Sequence, residues 1–517
     1  MRTFYLGTTA FICGFCVMGL ELLGFRLFAP TFGYSSYVWG SLIGIILAAL
    51  SIGYVFGGRL ADKRPQSPIL FKLIVVAGCY LFLMLLLYRK VLDVSYMKLG
   101  TIWGAFAATI VMYGVPMVLL STASPFIIRL LSVQQRAGSI AGGIYAISNT
   151  GSILGTFATA FFLVRALGSH TTFLLFSSIV LVVGIAGLIP RSPKWAASLA
   201  VVFIAVFLFP SPGQNLAPGE QLALRSESFY NDIRVIKRTD GSKALSVNRW
   251  TSYSVSVGEN DNYLTGDSYY DYFNAAALLT EPREILILGM GAGTSAKQYL
   301  HFFPEAHVDA VEIDPEIIRI ATDEFGVKES DKLRIFAEDA RPYLRKTEKK
   351  YDVIEADMFQ GGPYVPFYVT TKEFYQLVAD HLLPDGVVVM NVISLSDDHT
   401  LLCSIEKTLK TVFPTVFAVR VGRTSNYLLT ALKRKVTVPG EVKRILTAKR
   451  EILSKVVDEA RKASHLGLSR VISDFTNNIV FLPENEAAHV FTDDKADVER
   501  VTFKMVDKYL RRVPLRQ

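Results

Sequence analysis

The sequence predicts a two-part chain: a multi-pass α-helical membrane domain, then an α/β domain with a parallel sheet, introduced by a small β domain. Three observations carry that prediction. Long apolar runs crowd the first 210 of the 517 residues; alternating β-prone runs follow a Pro- and Gly-rich break; and from residue 283 strand-like and helix-like patterns alternate to about 432. Hydrophobic residues make up 51% of the chain and mean hydropathy is positive, too apolar for a soluble enzyme of this length.

The apolar runs lie at about 5–28, 37–58, 68–88, 101–121, 139–164, 171–190 and 195–209. Most are long enough for a hydrocarbon core of ~30 Å. About seven spans are expected over residues 1–210, with six or eight as alternatives, and the lipid bilayer of the cell (inner) membrane is the expected surrounding. The first run is too long for a cleaved signal peptide. Arg59, Lys63 and Arg64, then Arg129, Arg136, Arg191 and Lys194, fall at alternate loops, which favours a cytoplasmic N-terminus. Glu21 and Arg26 are charges within the first run, read either as part of a pathway or as a snorkelling and hydrogen-bonded pair. Cys13 and Cys16 form a CxxC inside an apolar helix and read as packing residues, as do the small residues Gly143, Gly151 and Gly155. The net charge of +8 is spread over loops and the C-terminal region, so no nucleic-acid partner is expected.

Residues 211–222 read as a linker, from the Pro/Gly content of PSPGQNLAPGEQ. A small β domain is expected over 223–262, where SFYNDIRVIKR and ALSVNRWTSYSVSV flank the hairpin turn Thr239-Asp240-Gly241. Residues 263–432 form the Rossmann-like part, with strands at ILILGM, VDAVEID, LRIFAED, YDVIEAD, GVVVMNV and VFAVRVG. Residues 433–517 read as a helical, charged extension, solvated or on the membrane surface, in which FTDDKADVER either caps the last helix or folds back on the site.

The segment REILILGMGAGTSAKQYLHFFPEAHVDAVEID, 283–314, reads as strand, glycine turn, helix and strand. Gly289, Gly291 and Gly293 let the backbone turn tightly and approach a ligand. Glu312, at the end of the second strand, lies where a ribose diol needs a carboxylate acceptor, and Asp314 follows it. Thr294 breaks the dinucleotide GxGxxG spacing, so the pattern suits an adenosyl ligand such as S-adenosylmethionine better than NAD. Asp339 and Asp357 fall at later strand ends, where ligands bind in such sheets.

SESFYNDIRV at 226–235, YYDYFNAAALL at 269–279 and the glycine segment resemble the spermidine synthases, the polyamine aminopropyltransferases. GYVFGGRLADKRP, YAISNTGSILGTF and TDDKADVE are similar to the membrane-fused version of that family. The resemblance implies the class I methyltransferase/spermidine synthase fold. It implies a small-molecule sulfonium substrate, S-adenosylmethionine or its decarboxylated form, with neither a prosthetic group nor a metal. It also implies that Glu312 holds the ribose, that Asp339 and Ala340 read the adenine edge, and that Tyr269, Tyr270 and Asp357 line the reacting end. A homodimer is among the assemblies it allows.

Two departures bear on chemistry. Ala292 stands where the family's glycine turn has an acid, and D-x-x-D becomes Asp357-Met358-Phe359-Gln360, placing an amide, which cannot act as a base, at the second acid. RTSNY at 423–427 also lacks the family's P-T-Y-P-S-G. The leading expectation is a transferase that cleaves the longer S–C bond and releases methylthioadenosine. An intramolecular attack by the substrate's own amine or carboxylate is an alternative, with Arg423 or Arg249 meeting a carboxylate. Methyl transfer, and transport or sensing regulated by an adenosyl ligand, are further classes. Because that ligand is scarce outside cells, the catalytic domain is expected to be cytoplasmic, which conflicts with seven spans from a cytoplasmic N-terminus.

Overall fold

The computed structural model describes residues 2–33, 35–132, 137–189, 216, 218–248, 254–256, 263–266, 268–360, 362–395, 397, 399–454 and 459–512. The chain divides into two compact units, Met1–Asn215 and Leu216–Gln517.

In the first unit, four helical stretches are long and apolar enough to cross a membrane: Thr3–Phe32, Ser36–Lys63, Ser67–Leu131 and Ala137–Leu188. The last two are folded once each. Gly100 (φ 74°, ψ −165°) and Gly168 (φ 76°, ψ 167°) sit in a backbone region open almost only to glycine. Around Gly100 the chain doubles back, because the Tyr80 hydroxyl donates to the Val111 carbonyl at 2.6 Å. A straight helix would hold those residues ~46 Å apart. Around Gly168 it reverses as well. Gly151 and Gly155 pack on the Phe11 and Phe15 carbonyls in the same chain direction, whereas Gly19 meets Phe176 and Tyr5 donates to the Val183 carbonyl in the opposite one. Four stretches, two folded once, give six passes among the described residues.

The passes alternate. Gly53 and Gly57 meet Val118 and Thr122 in parallel, while Gly78, Gly184 and Gly187 meet Leu181, Val75 and Phe71 antiparallel. Asp62 and Arg129, at matching ends of passes two and four, pair at 2.9 Å. Leu188 therefore ends on the side of the bundle where the N-terminus begins. The seventh expected run, 195–209, lies outside the described residues, as do Arg136, Arg191, Lys194 and half of the expected linker. At Gly151 and Gly155 an added Cβ would lie 2.1 and 2.2 Å from a carbonyl oxygen, so these glycines set helix contact; Gly143 faces open space. Cys13 and Cys16 are free and buried.

The second unit opens with an antiparallel meander: β1 Gln221–Glu227, β2 Asp232–Lys237, β3 Lys243–Val247 and β4 Ser254–Val255. Thr239-Asp240-Gly241 turns β2 into β3, with Gly241 at φ +87° and the Ser242 N–H on Asp240 Oδ1 at 2.9 Å. β1 starts inside the stretch read as linker.

The main sheet uses β5 Glu284–Leu288, β6 His307–Glu312, β7 Leu333–Ala337, β8 Tyr351–Ala356, β9 Leu382–Ile393, β10 Thr415–Arg420, β11 Asn426–Leu432 and β12 Ile479–Val480. Their order is β12-β10-β11-β9-β8-β5-β6-β7. The expected parallel sheet is met over five strands, and the run VFAVRVG, expected within it, lies in an antiparallel part. β5 to β9 are parallel, but β11 inserts antiparallel between β9 and β10, and β12 pairs antiparallel with β10. A tight turn between β10 and β11 makes this a hairpin, which the helix-sized spacing of the other strands does not foretell.

The solvated reading of 433–517 is also corrected. Val442 and Leu446, then Leu468, Val471, Ile472 and Phe475, form apolar stripes at helical spacing under the charges and enter one face of the core. Phe491, Val498, Val501 and Met505 fill the other face, beside Phe374 and Leu402.

Candidate active site

The strand order reverses between β5 and β8, the place where open α/β sheets bind ligands beyond their carboxyl ends. The glycine turn lies there. Gly289, Gly291 and Gly293 all have positive φ (+92°, +56° and +77°), and a Cβ on Gly289 would lie 2.4 Å from the Asp357 carbonyl oxygen. Only glycine allows β5 and β8 to end so close together.

Glu312, at the end of β6, accepts from the Gly291 N–H at 3.0 Å and from the Asp314 N–H at 3.1 Å. Its carboxylate thus braces the glycine turn and keeps further lone pairs for a ligand. Burial pushes the Glu312 carboxyl up to about 7, against the lowering effect of those backbone donors. Asp314 caps the Pro315–Phe325 helix, accepting from the Glu316 N–H at 3.1 Å. Its other oxygen accepts from Ser228 Oγ at 2.5 Å and Asn231 Nδ2 at 2.9 Å, so the turn after β1 is tied to the end of β6.

Asp339 follows β7 and caps the Ala340–Lys346 helix, accepting from the Arg341 N–H at 2.9 Å and from the Tyr368 hydroxyl at 2.8 Å. Ala340 is buried as the first residue of that helix. The guanidinium of Arg341 grips Asp493 through both terminal nitrogens, at 3.0 and 2.5 Å, and also donates to the Tyr368 carbonyl. The acid cluster near the C-terminus therefore folds back beside Asp339.

Asp357 follows β8. Its N–H donates to the Leu288 carbonyl at 2.9 Å, and its carboxylate accepts from the Tyr269 hydroxyl and from Asn391 Nδ2, each at 3.0 Å. Burial pushes the Asp357 carboxyl up to about 6; the Asn391 and Tyr269 donors oppose the rise. Burial, reinforced by Asp357, holds the Tyr269 phenol well above its ordinary value, so it remains a donor. The Tyr270 ring lies 4.2 Å from that of Tyr269. Glu355, two residues before Asp357, is buried against the Tyr299 hydroxyl at 2.7 Å, and burial pushes it up to about 8.

Gln360 joins the site through its backbone: its N–H donates to the Tyr364 carbonyl and its own carbonyl accepts from Asn248 Nδ2 at 3.1 Å. Arg423 is exposed, and Arg249 lies outside the described residues. Among the described residues, no group of three or more His, Cys, Asp or Glu could hold a metal ion. Ser228, Asn231, Asn248, Tyr368, Asn391 and Asn426 belong to the site without having been expected there. The first two lie inside the SESFYNDIRV segment, and Asn391 interrupts the apolar run from Val387 to Ile393, which are the signals the sequence offers for them.

Strand order and glycine turn define the Rossmann-like class that methyltransferases and spermidine synthases share. Residues 273–433 match the spermine/spermidine synthase domain. The chain is 32% identical over 327 residues to a Bifidobacterium longum protein named probable polyamine aminopropyl transferase, covering 60% of this chain and 69% of that protein. It is 33% identical over 211 residues to the polyamine aminopropyltransferase of Vibrio vulnificus, covering 39% of this chain and 68% of the relative. Among solved structures, a probable spermidine synthase from Corynebacterium glutamicum aligns at 22% identity and TM-score 0.39, over 47% of this chain and 94% of that one. The chain belongs to the polyamine aminopropyltransferase family.

Proposed function

We propose that this protein is a membrane-anchored transferase of the spermidine synthase type, acting on decarboxylated S-adenosylmethionine or S-adenosylmethionine and releasing methylthioadenosine. The observation that carries the reading is Asp357: a half-buried carboxylate at the sheet's reversal point, beside the glycine turn, held by two donors and pushed up to about 6. Glu312 would accept the ribose hydroxyls, and Asp339 with Ala340 would meet the adenine edge. The sulfonium's side chain would then extend toward Asp357 and the Tyr269–Tyr270 pair, whose faces suit a cation.

The chemistry is an in-line displacement. The nucleophile's lone pair forms the new bond to the carbon next to sulfur; the S–C bond breaks, and its electron pair returns to sulfur as a neutral thioether. An amine nucleophile loses a proton, which Asp357 takes. Alignment does most of the work, an effect worth roughly 7–11 kcal/mol when reactants are held in line.

Gln360 favours a second reading of the acceptor. A diamine or triamine brings several ammonium groups, whereas D-x-x-Q supplies one carboxylate. Asp271 is no substitute, since it is buried and already accepts from the Thr265 N–H, the Thr265 hydroxyl and Gln298 Nε2. Attack by the substrate's own amine or carboxylate needs no polyamine and closes a ring. We place the site on the cytoplasmic side, where its ligand is made.

Incubating the full chain with either sulfonium substrate, with and without putrescine, and identifying products by mass tests both readings. Methylthioadenosine that requires putrescine supports intermolecular transfer. Methylthioadenosine without amine supports self-attack, and S-adenosylhomocysteine in its place would overturn both in favour of methyl transfer.

A further inference from the structure

Asn391 on β9 and Asn426 at the start of β11 lie on one face of the sheet. Asn426 pairs with Ile393 in the antiparallel ladder, and residues two apart on a strand share a face. Their side chains form a relay. Asn391 Nδ2 donates to Asp357 Oδ1 at 3.0 Å, and Asn391 Oδ1 accepts from Asn426 Nδ2 at 2.9 Å. A side-chain amide has one donating and one accepting end. Turned the other way, Asn391 would set its oxygen against the carboxylate, an arrangement tolerable only when Asp357 carries a proton. The Asn426 donor on the Asn391 oxygen selects the first arrangement.

Asn426 is itself held by the turn that departs from the family's pattern. Its N–H donates to Thr424 Oγ1 at 3.1 Å, its carbonyl accepts from the Val421 N–H at 3.0 Å, and the Thr424 N–H closes on the Val421 carbonyl. Gly422 at φ +48° permits the reversal. The RTSNY stretch thus has a structural product, an amide aimed at Asn391.

We propose that Asn426 is a positioning residue which, through Asn391, keeps an N–H on Asp357 and so maintains the carboxylate as the acceptor for the nucleophile's proton. This rests on the transferase reading above. As the nucleophile's nitrogen bonds to carbon and the S–C electron pair moves to sulfur, the proton lost from nitrogen passes to Asp357, which the relay has kept ionised. The titratable groups facing Asp357 are Tyr269 from the Tyr269–Ala277 helix and Glu355 from β8; Tyr269 adds a second donor, and Glu355 opposes ionisation when charged. Asn391 from β9 supplies the remaining donor.

The test uses the full chain in detergent with the variants Asn426→Leu and Asn391→Leu. Infrared difference spectra follow the carboxyl band that Asp357→Asn removes, as a function of pH, and methylthioadenosine release is measured over the same range. Methylthioadenosine binding by calorimetry checks that each variant is folded. In both variants the Asp357 titration is expected to move to higher pH. Turnover well below the wild-type midpoint should then fall about tenfold for each pH unit by which the midpoint rises. A titration that coincides with wild type in both variants overturns the relay, whatever happens to the rate. Should the wild type release no methylthioadenosine from any sulfonium substrate, the transferase reading fails, while the infrared titration still decides whether the relay sets Asp357.

Discussion

Tyr269 and Asp357 are 88 residues apart in sequence and 3.0 Å apart in space, the phenol donating to the carboxylate. The contact joins the helix before the glycine turn to the strand end beyond it. Tyr269→Phe removes one donor from a carboxyl already raised to about 6, so its affinity for a proton climbs further. A base must be unprotonated to act. Turnover should therefore fall at pH 6–7 and recover toward wild type in alkali, read from the acidic limb of the pH–rate profile.

Asp357→Asn keeps the shape of the residue and abolishes its basicity. For an amine nucleophile, methylthioadenosine release should drop by about 10²–10⁴-fold. Calorimetry should find adenosyl binding largely retained, because Glu312 and Asp339 are unchanged. Undiminished turnover would remove Asp357 from the proton path, and would favour attack by a carboxylate, which has no proton to lose.

Glu312 links ligand binding to protons. Its carboxyl, raised to about 7 by burial, is largely protonated in the free protein at pH 6. Ribose hydroxyls donate best to the ionised form. Binding at pH 6 should therefore release a proton, and affinity should fall as pH drops below about 7. Calorimetry with methylthioadenosine, whose sulfur carries no charge to disturb Asp357, in two buffers of different ionisation heat measures the release directly, and none is expected from Glu312→Gln.

Glu355 affects stability in a predictable direction. Its folded-state value of about 8 lies above the ordinary 4.5, so the folded state binds the proton more tightly than the unfolded one. The stabilisation is complete below the ordinary value and is lost as pH rises through about 8. Glu355→Gln keeps a partner for Tyr299 while removing the titration. Between pH 6 and pH 9 the variant's thermal midpoint should decline less than that of the wild type; equal declines would assign the loss to other groups.

Six passes bring Leu188 back to the side of the helical bundle where the chain begins. A tag at the N-terminus and a reporter fused after Leu188 should accordingly be accessible from the same face. Opposite accessibility would mean that one of the folds at Gly100 and Gly168 does not form in the bilayer.

The legible parts of this protein were those carried by a period or a glycine pattern. ILILGM, VDAVEID and YDVIEAD are short apolar runs ending in a turn or an acid, and they became β5, β6 and β8 with Glu312 and Asp357 at their ends. NYLLTAL has the same character, but it follows β10 across a short polar turn and so gave no spacing cue for an antiparallel partner. The C-terminal helices misled because charge dominates their composition; Val442, Leu446 and Phe475 occupy only one stripe. Asn248, Asn391 and Asn426 were invisible for a different reason. A lone amide has no signature until folding sets its partner opposite, and each of these partners comes from a distant segment.

The pairing of β12 with β10 has a consequence for how the chain is made. Val480 and Ile479 cover Ala418 and Val419, and Phe491, Val498 and Met505 complete the core on one face. During synthesis, N-terminal segments emerge first. The apolar hairpins at Gly100 and Gly168 are therefore made long before the ribosome reaches residue 480. Until then the nascent sheet presents an open β10 edge and an unfilled face, the kind of surface that recruits chaperones or pairs with a neighbouring chain. The helical unit is therefore made before the sheet is complete, and premature termination within the last forty or so residues would leave the α/β unit unfinished behind it.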